Sequence, residues 1–369
     1  MKIVILTQPL YTNYGGILQC YALQTVLERM GHRVQVLSKP QYNRSYYVIY
    51  PLAVCKRLIK RFLFREKVNI FKGPYQQIVQ YIRPFIKHYI HFYYKREWTK
   101  KIASHFEAIV VGSDQVWRPA YSQPIEVSFL SFLEGVKIKR IAYAASFGLD
   151  NCDEYTSRQL KECSRLLKLF DMVSVREASG ISLCRNYFGI EAIQMLDPTL
   201  LLDADDYRRL IRKGNTQPSK GNLFVYILDR TDAKENLVNQ IAEEKMLTPF
   251  WVTNDEENLS LPLEKRIKQP VEQWLRSFDD AEFILTDSFH GCAFSILFRK
   301  NFIALGNSSR GLDRFISLLS SLCLLDRLIL SDTDYGEYYE LFSSDIDYNQ
   351  VEKALQVLKQ KSLDFISAI

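Results

Sequence analysis

Five short segments of the chain place glycine, aspartate, arginine or histidine residues at or just after the end of an apolar run. They are Asn13-Tyr14-Gly15-Gly16, Gly112-Ser113-Asp114-Gln115-Val116-Trp117, Ser174-Val175-Arg176-Glu177, Leu196-Asp197-Pro198-Thr199 and Thr286-Asp287-Ser288-Phe289-His290-Gly291. Short apolar runs of this kind predict buried strands, and in open parallel sheets ligands bind beyond the carboxyl ends of the strands. We therefore expect all five segments to face one cleft.

The glycine pair Gly15-Gly16 stands between an apolar run and a helical pattern. Glycine inside a helix costs about 1 kcal/mol relative to alanine, so the pair indicates either a sharp turn or the close approach of another group. The amides and the dipole at the start of a helix favour an anion, whereas a tight turn packed under Tyr14 fits the sequence equally well. On the first interpretation, the predicted substrate contacts are Asn13, Tyr14, Gly15 and Gly16.

Asp114 and Trp117 could bind a sugar, because a carboxylate accepts hydrogen bonds from hydroxyl groups and an indole ring can stack on a sugar face. The alternative is an Asx-type turn at Asp114, with Trp117 buried between domains. Ser113 and Asp197 each follow a predicted strand and complete the predicted substrate contacts on this side of the cleft.

His290 lies at the start of a predicted helix that follows a predicted strand. A histidine can transfer a proton near neutral pH, which makes His290 the first candidate catalytic residue; the alternative is a structural histidine. We predict that its neighbours Asp287, Ser288 and Gly291 bind substrate.

Arg176, the second candidate catalytic residue, comes directly after the predicted strand 172–175. Its planar guanidinium group suits a phosphate or a carboxylate. The alternative is an ion pair with Glu177 or with another nearby acid. No group of His, Cys, Asp and Glu has the spacing of a metal site, so we expect no metal.

The elements that must position these residues follow from hydrophobic periodicity. Strands are predicted over 2–7, 33–37, 108–112, 140–145, 172–175, 192–196, 222–228, 248–252, 282–286 and 301–305. Helices are predicted over 17–30, 154–170, 177–188, 232–246, 270–279, 289–299, 309–320 and 348–366. Alternating strands and helices of this kind predict an α/β fold with parallel sheets.

A chain of 369 residues is too long for one ordinary core, so two domains are expected. Residues 203–221 resemble a helix followed by a linker. We predict a doubly wound N-terminal domain over 1–210, with a basic aromatic helical insertion at about 42–101. A second doubly wound domain over 211–345 and a C-terminal helix over 346–369 follow.

The composition favours a cytoplasmic protein. The seven cysteines are odd in number and form no CxxC pair, which is typical of reduced thiols. The first residues lack the pattern of a secretory signal, and no apolar stretch is long enough to cross a membrane.

The positive charge of the chain is concentrated in one segment. Residues 42–101 contain 14 Lys and Arg against two Glu, a net charge of +12, whereas the whole chain carries +6. A helix over 53–67 with an apolar side bordered by Lys and Arg could rest on the anionic inner face of a membrane. The alternative is a solvated basic helix packed on the domain; nucleic acid is disfavoured because no nucleic-acid-binding motif accompanies the charge.

The ordered motifs NYGGILQCYALQ, VVGSDQVW, SVRE, LDPTLLL and TDSFHG resemble the polysaccharide pyruvyl transferase family over residues 9 to about 306. The resemblance implies a GT-B-like arrangement of two Rossmann-like domains. It also implies transfer of the pyruvyl group of phosphoenolpyruvate to sugar hydroxyls of a surface glycan or its lipid-linked precursor, which forms a pyruvate ketal. Such a transferase would serve exopolysaccharide biosynthesis at the cell envelope, with no cofactor besides phosphoenolpyruvate as donor.

The resemblance also implies roles for single residues. The histidine of the family's C-terminal-domain motif falls on His290, and its basic donor-binding residue on Arg176. Many members carry an arginine shortly before this histidine, where this chain has Ser288-Phe289, so the phosphate contacts are expected from Arg310 or Arg314. Two alternatives remain: a GT-B-type glycosyltransferase that uses a nucleotide sugar, and a non-catalytic glycan-assembly protein.

Overall fold

The computed structural model describes residues 1–37, 54–56, 58–59, 74–93, 100–252, 258, 260–306, 311–330 and 344–369. These residues form two parallel sheets flanked by helices, in agreement with the predicted α/β fold of two Rossmann-like domains. Of the predicted membrane-contacting segment 53–67, most residues lie outside the described ranges. Within those ranges, none of the helices is both long and apolar enough to cross a membrane.

The first sheet has the strand order β3-β2-β1-β4-β5-β6-β7, and the second has the order β12-β11-β10-β8-β9. The strands of the first sheet are β1 (Lys2–Leu6), β2 (Arg33–Leu37), β3 (Phe92–Tyr93), β4 (Ala108–Val111), β5 (Lys139–Ala145), β6 (Met172–Val175) and β7 (Ile193–Gln194). Those of the second are β8 (Leu223–Tyr226), β9 (Pro249–Trp251), β10 (Phe283–Thr286), β11 (Asn301–Leu305) and β12 (Leu328–Ile329). The central strands β4, β8 and β10 are buried throughout, which explains their continuous apolar sequences.

The helices lie mainly between the strands. They are α1 (Tyr14–Arg29), α2 (Pro74–Ile78), α3 (Ile82–Tyr89), α4 (Ser157–Leu167), α5 (Ala178–Leu183), α6 (Ala204–Lys213), α7 (Asp232–Glu244), α8 (Val271–Asp280), α9 (Phe289–Leu297), α10 (Asp313–Ser321) and α11 (Tyr348–Ser367). Short 3₁₀ segments include Pro198–Leu201, and a π-helical turn, Cys184–Phe188, follows α5.

The basic aromatic segment differs from its prediction. Within residues 42–101, which we expected to be a helical insertion, Phe92–Tyr93 form the edge strand β3 and pair in parallel with β2. The prediction is wrong at this point because a strand of two residues is too short to show an alternating pattern. The same reason explains why the sequence did not reveal β12.

The last helix, α11, returns to the N-terminal domain. Its Ser362 hydroxyl accepts a hydrogen bond from the backbone of Leu196 at 3.1 Å, and the Phe365 ring lies 6.1 Å from that of Tyr143. Lys139 donates to the carbonyl oxygen of Ile369 at 2.8 Å. The chain therefore crosses twice between the two domains.

The two domains share one apolar core. Tyr14, in the first turn of α1, stacks on Trp274 of α8 with ring centroids 5.3 Å apart, and both rings belong to a cluster that continues into both sheets. Arg29, at the end of α1, forms a two-pronged ion pair with Asp206 of α6 at 2.6 and 2.9 Å. Helix α1 thus connects the first sheet to the second domain.

Candidate functional site

A cleft of about 690 Å³ lies between the domains, at the carboxyl ends of the strands. This is within the usual size range of small-molecule sites. The N-terminal domain contributes Thr12, Asn13, Asp114, Gln115 and Tyr121. The C-terminal domain contributes Tyr226, Leu228, Asp229, Arg230, Asn258, Lys268, Asp287, Ser288, Phe289, His290, Arg314 and Phe315. Of the predicted site residues, the cleft therefore brings together Asn13, Asp114, Asp287, Ser288 and His290.

The glycine pair lies against two of these side chains. A Cβ atom added to Gly15 would lie 2.0 Å from Nδ1 of His290, and one added to Gly16 would lie 3.0 Å from Oδ2 of Asp114. Asn13 caps the same helix, because its side chain accepts the backbone N–H of Gly16. The groups that approach the two glycines are therefore side chains of this protein, one from each domain.

His290 is held between the domains by more than this packing. Its Nε2 atom is enclosed by protein and lies 3.7 Å from Oδ2 of Asp197, too far for a hydrogen bond but close enough for an ion pair. Its position in the cleft and its acidic partner fit His290 for proton transfer.

Asp197 is completely buried and has polar partners on both oxygens. Oδ2 accepts hydrogen bonds from Ser113 and Arg176, each at 2.9 Å, and Oδ1 accepts from the backbone and the hydroxyl of Thr199. Burial by itself would raise the pKa of Asp197. The contacts with His290 and Arg176, together with the Thr199 amide, outweigh it and hold this pKa well below its usual range.

The predicted substrate contacts of Ser113 and Asp197 are therefore wrong, because both side chains are buried behind His290 and are engaged with each other. Arg176, the second candidate catalytic residue, does not line the cleft, and its guanidinium group lies 4.5 Å from the centroid of the Phe289 ring. Its ion pair with Asp197 at 2.9 Å fulfils the alternative of a nearby acid. Asp197 therefore links Ser113 and Arg176 to His290.

Asp287 lines the cleft, but protein groups occupy both of its oxygens. It accepts hydrogen bonds from the backbone of Leu228 and Asp229, at 2.6 and 3.1 Å, and from Lys234 at 2.9 Å. Asp287 therefore fixes the loop between β8 and α7.

The neighbours of His290 on α9 have structural roles as well. Ser288 caps α9 by accepting the backbone N–H of Gly291. Gly291 itself faces away from the cleft, because a Cβ atom there would lie 2.0 Å from Oγ1 of Thr286. The prediction that Gly291 contacts the substrate is therefore wrong.

Two predicted aromatic contacts are also wrong. Trp117 is fully buried in the core of the N-terminal domain, stacked on Phe129 with ring centroids 5.1 Å apart. Tyr14 is buried under Trp274 and donates its hydroxyl hydrogen to the carbonyl oxygen of Gln269 at 2.9 Å. Neither ring can meet a ligand, because large apolar surfaces are more stable inside the core than in an open cleft.

The cleft contains three basic residues beyond the main predicted set. Lys268 and Arg230 were not predicted, and Arg314 was named only as an alternative to Arg310. Lys268 and Arg314 are nearly buried, whereas Arg230 is exposed. Burial, and then the positive charge of Arg176, lower the pKa of Arg314 to about 10, so it is still charged at neutral pH. Arg310, the other predicted phosphate contact, lies outside the described residues.

The signal that could have revealed these cations is weak, because single Lys and Arg residues in loops are common. Tyr121 was missed for a similar reason, since nothing in its sequence neighbourhood distinguishes an exposed ring from a buried one. As for metals, the described part of the chain contains no group of three or more His, Cys, Asp or Glu side chains arranged to hold an ion.

Comparisons with known proteins agree with the motif pattern. The family model described as polysaccharide pyruvyl transferase matches residues 13–309. No curated protein matches the chain significantly in sequence.

Solved structures resemble the chain over its whole length at low identity. UGT89C1 of Arabidopsis thaliana, complexed with UDP-L-rhamnose, is 10% identical with a TM-score of 0.49, covering 100% of this chain and 98% of its own. The UDP-GlcNAc 2-epimerase of Neisseria meningitidis is 10% identical with a TM-score of 0.47, covering 98% and 99%. Since the family model spans most of the chain and both sides of the cleft, the chain belongs to the polysaccharide pyruvyl transferase family.

Proposed function

We propose that the protein transfers the pyruvyl group of phosphoenolpyruvate to a pair of hydroxyls on a glycan or a lipid-linked sugar, forming a pyruvate ketal. The observation that carries the proposal is the cleft itself, where His290 lies beside the buried cations Lys268 and Arg314 in a chain of this family. Phosphoenolpyruvate carries a phosphate and a carboxylate, so its site needs cations and a proton donor.

The donor would be bound by Arg314 and Lys268, with Arg230 at the exposed side of the cleft. Arg314 can form two parallel hydrogen bonds with a phosphate or a carboxylate. Lys268 supplies a compact charge, and its Nζ atom is held 4.5 Å from the centre of the Tyr14 ring. These cations replace the arginine that many family members carry shortly before the histidine.

His290 would donate a proton to the methylene carbon of phosphoenolpyruvate. A sugar hydroxyl then forms a bond to the neighbouring carbon and loses its proton to the Asp114 carboxylate, which faces the other glycine of the pair. The bond between that carbon and the phosphate oxygen breaks, and phosphate leaves. The oxygen of a second sugar hydroxyl bonds to the same carbon, its proton passes to the departing phosphate, and the ketal is closed.

Asp197 would keep His290 in orientation while the proton is transferred. Its own negative charge is secured by Arg176 and by the Thr199 amide, because the low pKa of Asp197 keeps the carboxylate ionised throughout the neutral range. On this assignment Arg176 acts on Asp197 and does not contact the donor.

The test is calorimetric titration of the full chain with phosphoenolpyruvate, and separately with UDP and GDP. We expect saturable binding of phosphoenolpyruvate and none of the nucleotides. Arg314→Met should weaken this binding about 10- to 100-fold, since it removes a charge-assisted hydrogen bond worth about 1.5–3 kcal/mol.

Arg327→Met is the matched control, because Arg327 is as buried as Arg314 but does not line the cleft. It should leave the affinity for phosphoenolpyruvate unchanged. Binding of UDP or GDP instead would favour a glycosyltransferase. No binding of any of the three ligands would contradict the proposed donor.

A further inference from the structure

Tyr121 is an aromatic residue of the cleft to which the mechanism above assigns no part. Its side chain lines the cleft and is 49% exposed. A half-exposed tyrosine ring leaves a large apolar surface in water. On a loop that faces the cleft, such a ring is suited to pack against a ligand that has an apolar surface.

The ring of Tyr121 is supported on one side by a fixed cation. The guanidinium carbon of Arg118 lies 4.7 Å from the ring centroid. Arg118 is itself nearly buried and donates twice to Oε1 of Glu154, at 3.0 and 2.8 Å. With Arg118 against one face, the opposite face is the one available to a ligand.

The loop that carries Tyr121 is anchored at several points. Trp117, four residues earlier, is buried in the core, and its carbonyl oxygen accepts the hydroxyl hydrogen of Tyr155. The backbone N–H of Ala120 donates to Oε2 of Glu154 at 3.0 Å. The ring is therefore presented in a fixed position, so little conformational freedom is lost when a ligand stacks on it.

Tyr121 lines the same cleft as the proposed donor-binding cation Arg314. Asp114, which lines the same cleft, belongs to the same strand-to-loop segment of the N-terminal domain. A ligand stacked on Tyr121 would thus share the cleft with the donor-binding cation and with a carboxylate that can accept hydrogen bonds.

We propose that Tyr121 is the platform on which the acceptor sugar stacks. A pyranose ring has C–H groups that form an apolar face and hydroxyls around its edge, which matches a cleft lined by both an aromatic ring and the Asp114 carboxylate. The assignment rests on the proposed function. It identifies the acceptor as a pyranose whose apolar face packs on the ring of Tyr121. It makes Tyr121 a specificity-determining residue of the N-terminal domain.

Saturation-transfer NMR on the full chain tests this assignment without the donor. The probes are the methyl β-glycosides of glucose, galactose and mannose, which are small enough for the cleft. We expect saturation of the C–H protons of at least one sugar ring by wild type and by Tyr121→Phe, which keeps the aromatic ring. Tyr121→Ala should reduce this saturation about five-fold or more, as the loss of a stacking contact of about 1 kcal/mol requires.

Tyr187→Ala is the matched control, since Tyr187 is 48% exposed but does not line the cleft. It should behave as wild type. Equal saturation by wild type and Tyr121→Ala, or no saturation of any probe by wild type, would overturn the assignment. The NMR samples contain no phosphoenolpyruvate. If the donor proposal fails, the calorimetric titration alone will show it, and the NMR result still tests the role of Tyr121.

Discussion

Gly15 and Gly16 show how strongly single residues are constrained in this site. Each glycine leaves room for a functional side chain from elsewhere in the chain, His290 for one and Asp114 for the other. Any side chain at Gly15 would occupy the position of the imidazole ring. The requirement for glycine therefore comes from the approach of protein groups and not from backbone conformation, since neither residue has a positive φ.

Gly15→Ala should disturb the site more than it disturbs the fold. We expect a loss of about 1–3 kcal/mol in the free energy of unfolding from overpacking. A displaced His290 should also reduce transfer about 100-fold. Urea denaturation and phosphate release from phosphoenolpyruvate, with acceptor glycan present, measure the two effects.

Gly31→Ala serves as the control for this substitution. Gly31 has a φ of +86° and no atom near its missing Cβ, so alanine there should cost about 1–2 kcal/mol without changing transfer. Wild-type transfer by Gly15→Ala would show that His290 does not act from its observed position.

Asp197→Asn should cost about 3–5 kcal/mol of stability near pH 7, because it leaves the buried charge of Arg176 without its carboxylate partner. The pKa of Asp197 is lower in the folded protein than in the unfolded chain. Its contribution is therefore complete above the unfolded pKa of about 3.9 and is lost as the pH falls below that value. The difference between wild type and variant should shrink in the same direction.

Urea denaturation of both proteins between pH 7 and pH 3 provides the measurement. Asp150→Asn changes an exposed aspartate outside this network and should alter stability by no more than about 0.5 kcal/mol. A difference between wild type and Asp197→Asn that stays constant over this range would mean that the carboxylate charge is not what stabilises the network.

At the scale of elements, the site depends on strands that end at a common edge and on helices that begin there. Strands β1, β4, β8 and β10 all lead into segments that line the cleft or support it. Helix α11 works differently, because it leaves the second domain and packs behind the first, where Ser362 contacts the segment that carries Asp197. The orientation of Asp197 therefore depends in part on the last helix of the chain.

Ile366→Ala tests the contribution of α11. Ile366 is fully buried, so its truncation should cost about 2–4 kcal/mol. Val357→Ala changes a residue of the same helix that is 70% exposed and should cost less than about 1 kcal/mol. Urea denaturation compares the two, and equal effects would mean that α11 does not pack on the domain as observed.

At the scale of the whole molecule, the cleft is formed by two domains whose cores are continuous. The stacked pair Tyr14 and Trp274 connects α1 of one domain to α8 of the other, within one apolar cluster. The ion pair of Arg29 with Asp206 fixes α1 to α6, the helix that leads into the second domain. Because this cluster includes side chains of both domains, each domain buries apolar surface of the other.

We therefore expect the chain to unfold in one cooperative transition. Tryptophan fluorescence and far-ultraviolet circular dichroism should give coincident midpoints in urea. Trp274→Ala should shift both midpoints together, with a loss of about 3–5 kcal/mol. Two separate transitions in wild type would show that the domains unfold independently and that the shared core contributes little.

The sequence by itself determined most of the strands and the α/β alternation, because burial on both faces of a parallel sheet requires continuous apolar strands. The predicted strand 33–37 matches β2 in both bounds, and the predicted strand 172–175 matches β6. It also determined where the cleft lies, since the carboxyl ends of parallel strands meet at one edge. The glycine pair indicated a close approach, although not which group approaches.

Only the tertiary structure decided which side chains face the cleft. Trp117 and Tyr121 are four residues apart, yet one is buried and the other is half exposed. Arg176 faces Asp197 rather than the ligand, whereas Arg314 lines the cleft. The direction of a side chain depends on neighbours that are distant in sequence, as His290 and Gly15 are, and no local pattern of residues encodes that packing.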